Sequence, residues 1–111
     1  EVNYDISDEE LLIDGDYDRL KQVLINIIKN SCEAVISGGV ISIKSYLKKS
    51  KVVIEIRDNG CGISCEILNR LGRELVSTKN GGSGLGIKLS YDIVRLHNGC
   101  IRYKSKVGVG T

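Results

Sequence analysis

Residues 79–86 have the composition of a phosphate-binding loop. Lys79-Asn80-Gly81-Gly82-Ser83-Gly84-Leu85-Gly86 puts four glycines into six positions and runs straight into an apolar helical pattern over residues 84–97. Glycine leaves a backbone free to take left-handed conformations and lets its amides approach a ligand with no Cβ in the way. A helix starting there adds unpaired amides and the positive end of its dipole, and Lys79 adds a full charge. The same composition also suits a plain connector, so the remaining parts of a nucleotide site must come from elsewhere. Two other groups offer them. Asn26 and Asn30 stand four residues apart, one helical turn, at the edge of an apolar stripe. Either alone is an ordinary polar group at the border of a core. As a pair they form a short polar ladder, and a neutral amide oxygen suits one corner of a magnesium octahedron. Asp58-Asn59-Gly60-Cys61-Gly62-Ile63 reads either as a tight Asn-Gly turn or as the floor of a pocket. In the second case Asp58 accepts a hydrogen bond from an exocyclic amine while Gly60 and Gly62 let a base lie against the backbone. Adenine presents an amine at that edge and guanine a carbonyl, so a carboxylate discriminates between them.

The elements that must position these groups follow from periodicity. Val2, Tyr4 and Ile6 alternate with polar residues as in a half-buried strand, and Leu11 to Ile13 form a second short extended piece closed by Asp14-Gly15. Asp16 stands where a helix N-cap belongs, with Asp18 in the first turn. Leu20, Val23, Leu24, Ile27, Ile28, Ala34 and Val35 then share one stripe until Gly38-Gly39. Val40 to Leu47 and Lys51 to Arg57 are strands around the polar tip Lys48-Lys49-Ser50. Ser64 caps a short helix with Ile67, Leu68 and Leu71. Residues 73–83 lack periodicity and read as a lid or a surface loop. The helix after them carries Leu85, Leu89, Ile93 and Leu96 on one side and Ile87 and Val94 on another, which predicts burial against the sheet. Asn98-Gly99 fits its C-terminal cap, and Ile101 and Tyr103 alternate in a last strand.

Composition bounds the rest. The 111 residues make one domain with a 41% hydrophobic share, sufficient for a core. No run is long and apolar enough to span a bilayer, and no leader pattern opens the chain, so the expectation is a soluble, cytoplasmic domain without direct membrane contact. The formal charge is +2, and Lys44, Lys48, Lys49 and Lys51 gather at the hairpin tip, which reads as a solvated turn and not as a nucleic-acid surface. Cys32, Cys61, Cys65 and Cys100 form no CxxC pair and read as reduced thiols.

With the polar helix, the Asp-x-Gly-x-Gly turn and the glycine loop in this order, the chain resembles the catalytic and ATP-binding domain of bacterial sensor histidine kinases, in the wider group shared with gyrase, Hsp90 and MutL. Arg19 to Val35 looks like the family's N box, Asp58 to Gly62 its first glycine box and Gly82 to Gly86 its second. The resemblance implies a Bergerat-type ATP-binding fold of the α/β class: a two-layer sandwich with three helices on one face of a mixed, mainly antiparallel sheet. It implies ATP and Mg2+ as cofactors. Asn30 matches the magnesium-binding asparagine, which together with Lys79 is catalytic, and Asn26 lines the phosphate side. Asp58 matches the adenine reader, with Gly60, Gly62 and Ile63 beside the base. Thr78 and Lys79 fall in a lid segment whose lysine reaches the terminal phosphate, and Gly82, Ser83, Gly84, Leu85 and Gly86 surround the phosphates. Glu33, Ala34 and Glu74-Leu75-Val76 depart from the family's usual residues.

Relatives that hydrolyse ATP carry a general-base glutamate where this chain has Asn26, which favours phosphoryl transfer over hydrolysis. The implied activity is a protein-histidine kinase whose acceptor histidine sits on a separate dimerisation domain and whose downstream partner is a response regulator. His97, near the end of the last helix, is not read as that acceptor. On this reading residues 1–111 are an excised, C-terminally trimmed domain of a larger sensor kinase. The alternatives are a serine kinase of the anti-sigma-factor type and a degenerate module that keeps the fold for protein interaction.

Overall fold

A computed structural model describes residues 1–8, 10–71 and 85–111. Its elements are β1 (Val2–Asp5), α1 (Tyr17–Ala34), β2 (Ile41–Lys48), β3 (Lys51–Asp58), α2 (Cys65–Leu68) and α3 (Leu85–Leu96). The strands form one mixed sheet in the order β1-β2-β3, with β1 parallel to β2 and β2 antiparallel to β3. Among the described residues this is a two-layer α/β arrangement, with α1 lying on β3 and α3 packed on α1.

Local chemistry explains where the elements stop. The Asp16 carboxylate accepts from the Arg19 N–H at 3.2 Å and caps α1, while Val35 turns extended and Gly38 takes a φ of +86°. Ser64 caps α2 by accepting from the Ile67 N–H at 3.4 Å. The β2–β3 hairpin turns on Lys49 and Ser50, both at positive φ (49° and 65°), as a two-residue primed turn requires. Neither is glycine, so the tip carries strain. At the end of α3 the Gly99 N–H bonds the Val94 carbonyl at 3.0 Å, the Asn98 N–H bonds the Arg95 carbonyl at 3.0 Å, and Asn98 holds a φ of 61°. That pattern is a Schellman motif with asparagine in the left-handed position.

Register assigns the faces. Val2 pairs with Ile41, Tyr4 with Ile43, Ile43 with Ile56 and Ile41 with Asp58, so these residues share one face of the sheet, buried at Ile41, Ile43 and Asp58 but exposed at Val2 and Tyr4 on the edge strand. Among the described residues Ile41, Ile43, Val23, Leu71 and Ile93 are the buried apolar ones, joined by buried Ser31, Asp58 and Ser90. The opposite face is wet: Lys44 meets Asp5 at 3.9 Å, and Glu55 accepts from Arg57 at 2.9 Å and from the Tyr46 hydroxyl at 3.3 Å.

Three expectations need correction. Leu11 to Ile13 join no strand, and Leu12 and Ile13 are exposed, because no neighbouring strand takes up their backbone groups. Ile101 and Tyr103 alternate in burial with Arg102 and Lys104 but form no ladder. Tyr103 instead packs its ring 6.1 Å from that of Tyr91, and burial, with Tyr91 as the lesser cause, pushes its phenol up to about 12. Finally, α3 does not bury its leucines against the sheet. Leu89 and Leu96 are exposed, while Ser90 and Ile93 are buried, because the helix packs mainly on α1 and not on the sheet.

Candidate functional site

The site is built around the end of β3. Asp58 is only 7% exposed there. Its Oδ1 accepts from the Gly60 N–H at 2.9 Å, the closed ring of an Asx-turn, which fixes the carboxylate plane. Among the described residues Oδ2 has no hydrogen-bond partner, and no buried side-chain oxygen is left unpaired, so Oδ2 keeps contact with solvent. A buried strand therefore ends in one committed and one open carboxylate oxygen, which is a hydrogen-bond acceptor waiting for a donor.

The loop after Asp58 is locked from three sides. The Cys61 N–H donates to the carbonyl of Ala34, the last residue of α1, at 3.0 Å. Asn59 clamps the start of β2: its Oδ1 accepts from the Val40 N–H at 2.8 Å and its own N–H donates to the Val40 carbonyl at 3.3 Å. From the third side comes the C-terminal turn, closed by a bridge between Lys106 and Gly110. The Gly108 N–H donates to the Cys61 carbonyl at 2.8 Å, and the Ile63 N–H donates to Ser105 Oγ at 2.7 Å. Asp58 and Thr111 exchange both backbone bonds, at 2.8 and 3.3 Å, the reciprocal pattern of antiparallel neighbours. Ser105 Oγ lies 2.9 Å from the Gly110 carbonyl and 2.7 Å from Thr111 Oγ1.

Close approach makes the glycines here obligatory. A Cβ on Gly60 would lie 2.5 Å from the Ala34 carbonyl oxygen. Gly62, at a φ of +77°, has the Lys106 carbonyl where its side chain would be, and Gly110, at +138°, has the Asp58 carbonyl. Ser105, Gly110 and Thr111 thus belong to the wall of the site, although sequence reasoning left them out. The available signal was Gly108-Val109-Gly110-Thr111, two glycines flanking a turn.

The second side is α1 with the start of α3. Asn26 and Asn30 are both half-buried on α1. Gly86 lies beside Asn26, and a Cβ there would be 3.6 Å from Asn26 Nδ2, an ordinary contact distance. The hydroxyl of fully buried Ser90 donates back to the Gly86 carbonyl at 2.8 Å. Among the predicted site residues, then, the structure groups Asp58, Gly60, Gly62 and Ile63 at one end, and Asn26 with Gly86 at another; Asn30 lies one turn on from Asn26, on the way to Ala34. Leu85 opens α3. Thr78, Lys79, Gly82, Ser83 and Gly84, with the lid at 73–83, lie outside the described residues. A cavity of about 510 Å³ opens beside Asp58 toward Ser42, Arg57 and Lys104. It includes neither Asn26 nor Asn30, so it is separate from the α1 side of the site.

Residues 15–111 match the family of histidine kinase-, DNA gyrase B- and HSP90-like ATPases, and the chain belongs to that family. Within it the chain is the ATPase domain of the histidine kinase group. It is 41% identical over 100 residues to sporulation kinase C of Bacillus subtilis, covering 90% of this chain and 23% of that protein. It is 39% identical over 103 residues to sensor protein DegM of a Bacillus species, covering 93% and 28%. The catalytic domain of histidine kinase ThkA superposes with a TM-score of 0.76 at 30% identity, covering 87% of this chain and 64% of that one. The chain thus spans about a quarter of the length of these curated relatives.

Proposed function

We propose that this domain binds Mg-ATP between α1, the Asp58 end of β3 and the start of α3, and donates the γ-phosphoryl group to a histidine on a separate dimerisation domain of a sensor kinase. The observation that carries the reading is the Asp58 carboxylate, with Oδ1 held by the Gly60 amide and Oδ2 open. A neutral adenine amine is a fitting donor to that oxygen, and Gly60 and Gly62 keep the adjoining backbone bare. Asn30 would hold magnesium through its amide oxygen and Asn26 would face the phosphates; the bound ion neutralises charge on phosphate oxygens. Lys79 and the residues from Thr78 to Gly86 complete the phosphate side on this reading.

Two features favour transfer over hydrolysis. No carboxylate occupies residues 22–30 of α1, so that stretch offers no general base to water. His97 is not a free acceptor, since both its ring nitrogens are engaged by backbone groups. We therefore assign the acceptor to another domain of a larger protein, with a response regulator downstream and the domain itself in the cytoplasm. Among the described residues no helix is long and apolar enough to cross a membrane.

The test is a calorimetric titration of the domain with ADP and GDP, each with and without magnesium. ADP should bind, magnesium should tighten it, and GDP should bind at least about tenfold more weakly, the discrimination of one well-placed hydrogen bond to a charged group. Equal affinity for the two nucleotides, or no heat with either from a folded chain, would sink the assignment of Asp58.

A further inference from the structure

We infer that His97 is a positioning residue for the phosphate side of the site, acting from the far end of the α1–α3 pair. The imidazole sits where the two helices meet. Its Nε2 is 2.9 Å from the Asp16 backbone N–H, and its Nδ1 is 2.7 Å from the Ile93 carbonyl oxygen. An amide N–H only donates and a carbonyl only accepts, so Nε2 must be bare and Nδ1 must carry the proton. The ring is therefore a neutral imidazole in one defined tautomer, bridging the N-cap of α1 to the last turn of α3.

The bridge is held rigidly at both ends. On the α3 side, His97 is the residue just before left-handed Asn98 in the Schellman motif, so its backbone is fixed. On the α1 side, Gly15 admits the ring edge: a Cβ there would come within 2.7 Å of His97 Cδ2 and 2.8 Å of Leu20 Cδ1. Any larger residue at 15 would displace the imidazole. The bond joins groups 81 residues apart in sequence.

The geometry then carries the effect to the site. The helices run antiparallel, with His97 beside Asp16 and Gly86 beside Asn26. From Asp16 to Asn26 and from His97 back to Gly86 the distances along the axes are about 15 and 16 Å at 1.5 Å per residue. Equal arms mean that the register fixed at the His97 end is reproduced at the other. There a Cβ added to Gly86 would only just reach Asn26, at 3.6 Å from its Nδ2, and no hydrogen bond between the two sets their spacing. Within that arm the Ser90 hydroxyl also bonds the Gly86 carbonyl. Loss of the imidazole bridge lets the helices slide and moves Asn26 relative to the start of α3.

The inference rests on the nucleotide reading only for its effect on affinity. The experiment uses the whole domain with Mg-ADP as probe. Ring ¹⁵N spectra should show the Nδ1–H tautomer. His97→Phe should shift the Asn26 side-chain and Gly86 backbone signals and weaken Mg-ADP about fivefold, the loss of one hydrogen bond. His97→Gln, whose side-chain oxygen replaces the acceptor at Nε2, should recover most of both. If His97→Phe fails to fold, Gly15→Ala, which pushes on the ring, makes the same comparison. An Nε2–H tautomer overturns the inference. So does a variant that lowers the melting temperature while the Asn26 and Gly86 signals and the Mg-ADP affinity stay put. If the parent domain binds no ADP, the nucleotide reading fails by itself, and the Asn26 and Gly86 signals still decide the bridge.

Discussion

The two sides of the site are held by different physics. Around Asp58 the backbone itself is the scaffold: the loop bonds to the end of α1, to the start of β2 and to the C-terminal turn, and three glycines sit where any side chain would strike a carbonyl. Around Asn26 no hydrogen bond joins α1 to the start of α3 among the described residues; Gly86 lies beside Asn26 with space for a methyl between them, and the spacing is set by helix packing and the His97 bridge some 15 Å away. Hydrogen-bonded backbone with no free volume has one arrangement, whereas packed helices slide at modest cost. The base end of the proposed pocket is thus built in advance, and the phosphate end is adjustable. On the function we propose, that division suits holding a nucleotide firmly while its terminal phosphate is handed to another domain.

The widest separation should appear on adding one methyl group to each side. Gly62→Ala and Gly110→Ala combine a left-handed backbone with a carbonyl in the way, and each should cost roughly 2–5 kcal/mol, enough to leave the domain close to unfolded. Urea unfolding followed by circular dichroism measures it. A loss below about 1 kcal/mol at either position would mean that the wall is softer than its hydrogen bonds imply.

Next in size is Asp58→Asn, which keeps an acceptor for the Gly60 amide and puts an NH2 group where Oδ2 stood. The fold should survive, because the Asx-turn is preserved, while ADP affinity should drop about ten- to a hundredfold, the worth of a hydrogen bond to a charged group. Retained affinity with a lost fold would reverse the roles assigned here, making Asp58 a structural residue alone.

These two regions also differ in how far they could be read from the chain. The features set by neighbouring residues were legible: the Asp16 cap, the α1 stripe, the two strands of the hairpin, and the Ser64 cap of α2. So was an acid at the end of β3 followed by glycines, and the structure has Asp58 buried there with Gly60 and Gly62 crowded by backbone. The C-terminal part of the wall was not, because the Asp58–Thr111 pair joins residues 53 apart and leaves no periodic mark. The strand foreseen at Ile101 and Tyr103 came from alternation alone, and alternation reports burial, not pairing. On α3 the leucines dominated the pattern, but among the described residues the buried positions are Ile93, which the pattern included, and Ser90, which a hydrophobic count passes over. The bridging role of His97 needed a partner 81 residues away to become visible.

A change far from both sides provides a reference for stability without affinity. The hairpin tip lies at the opposite end of β3 from Asp58, and Ser50 there holds a φ of 65°. Ser50→Gly should relieve about 1 kcal/mol of left-handed strain and raise the melting temperature by about 4 °C, with Mg-ADP affinity unchanged. A shift in affinity would show that the sheet transmits strain along β3, and the contrast between a rigid wall and an adjustable helix pair would then need redrawing.

The smallest effect is the most discriminating, because its two readouts should move in opposite directions. Gly86 is the second residue of α3, and among the described residues nothing comes closer than 3.6 Å to its missing Cβ, so Gly86→Ala should gain helix propensity, up to about 0.5–1 kcal/mol of added stability. The added methyl nevertheless stands beside Asn26, on the phosphate side. If that side holds the nucleotide as proposed, Mg-ADP should bind more weakly to a protein that melts higher. Paired melting curves with and without Mg-ADP read both quantities from one sample. Higher stability with undiminished affinity would place the phosphates away from Gly86. Lower stability would show that the α1–α3 contact is as tight as the Asp58 wall, and the difference between the two regions would disappear.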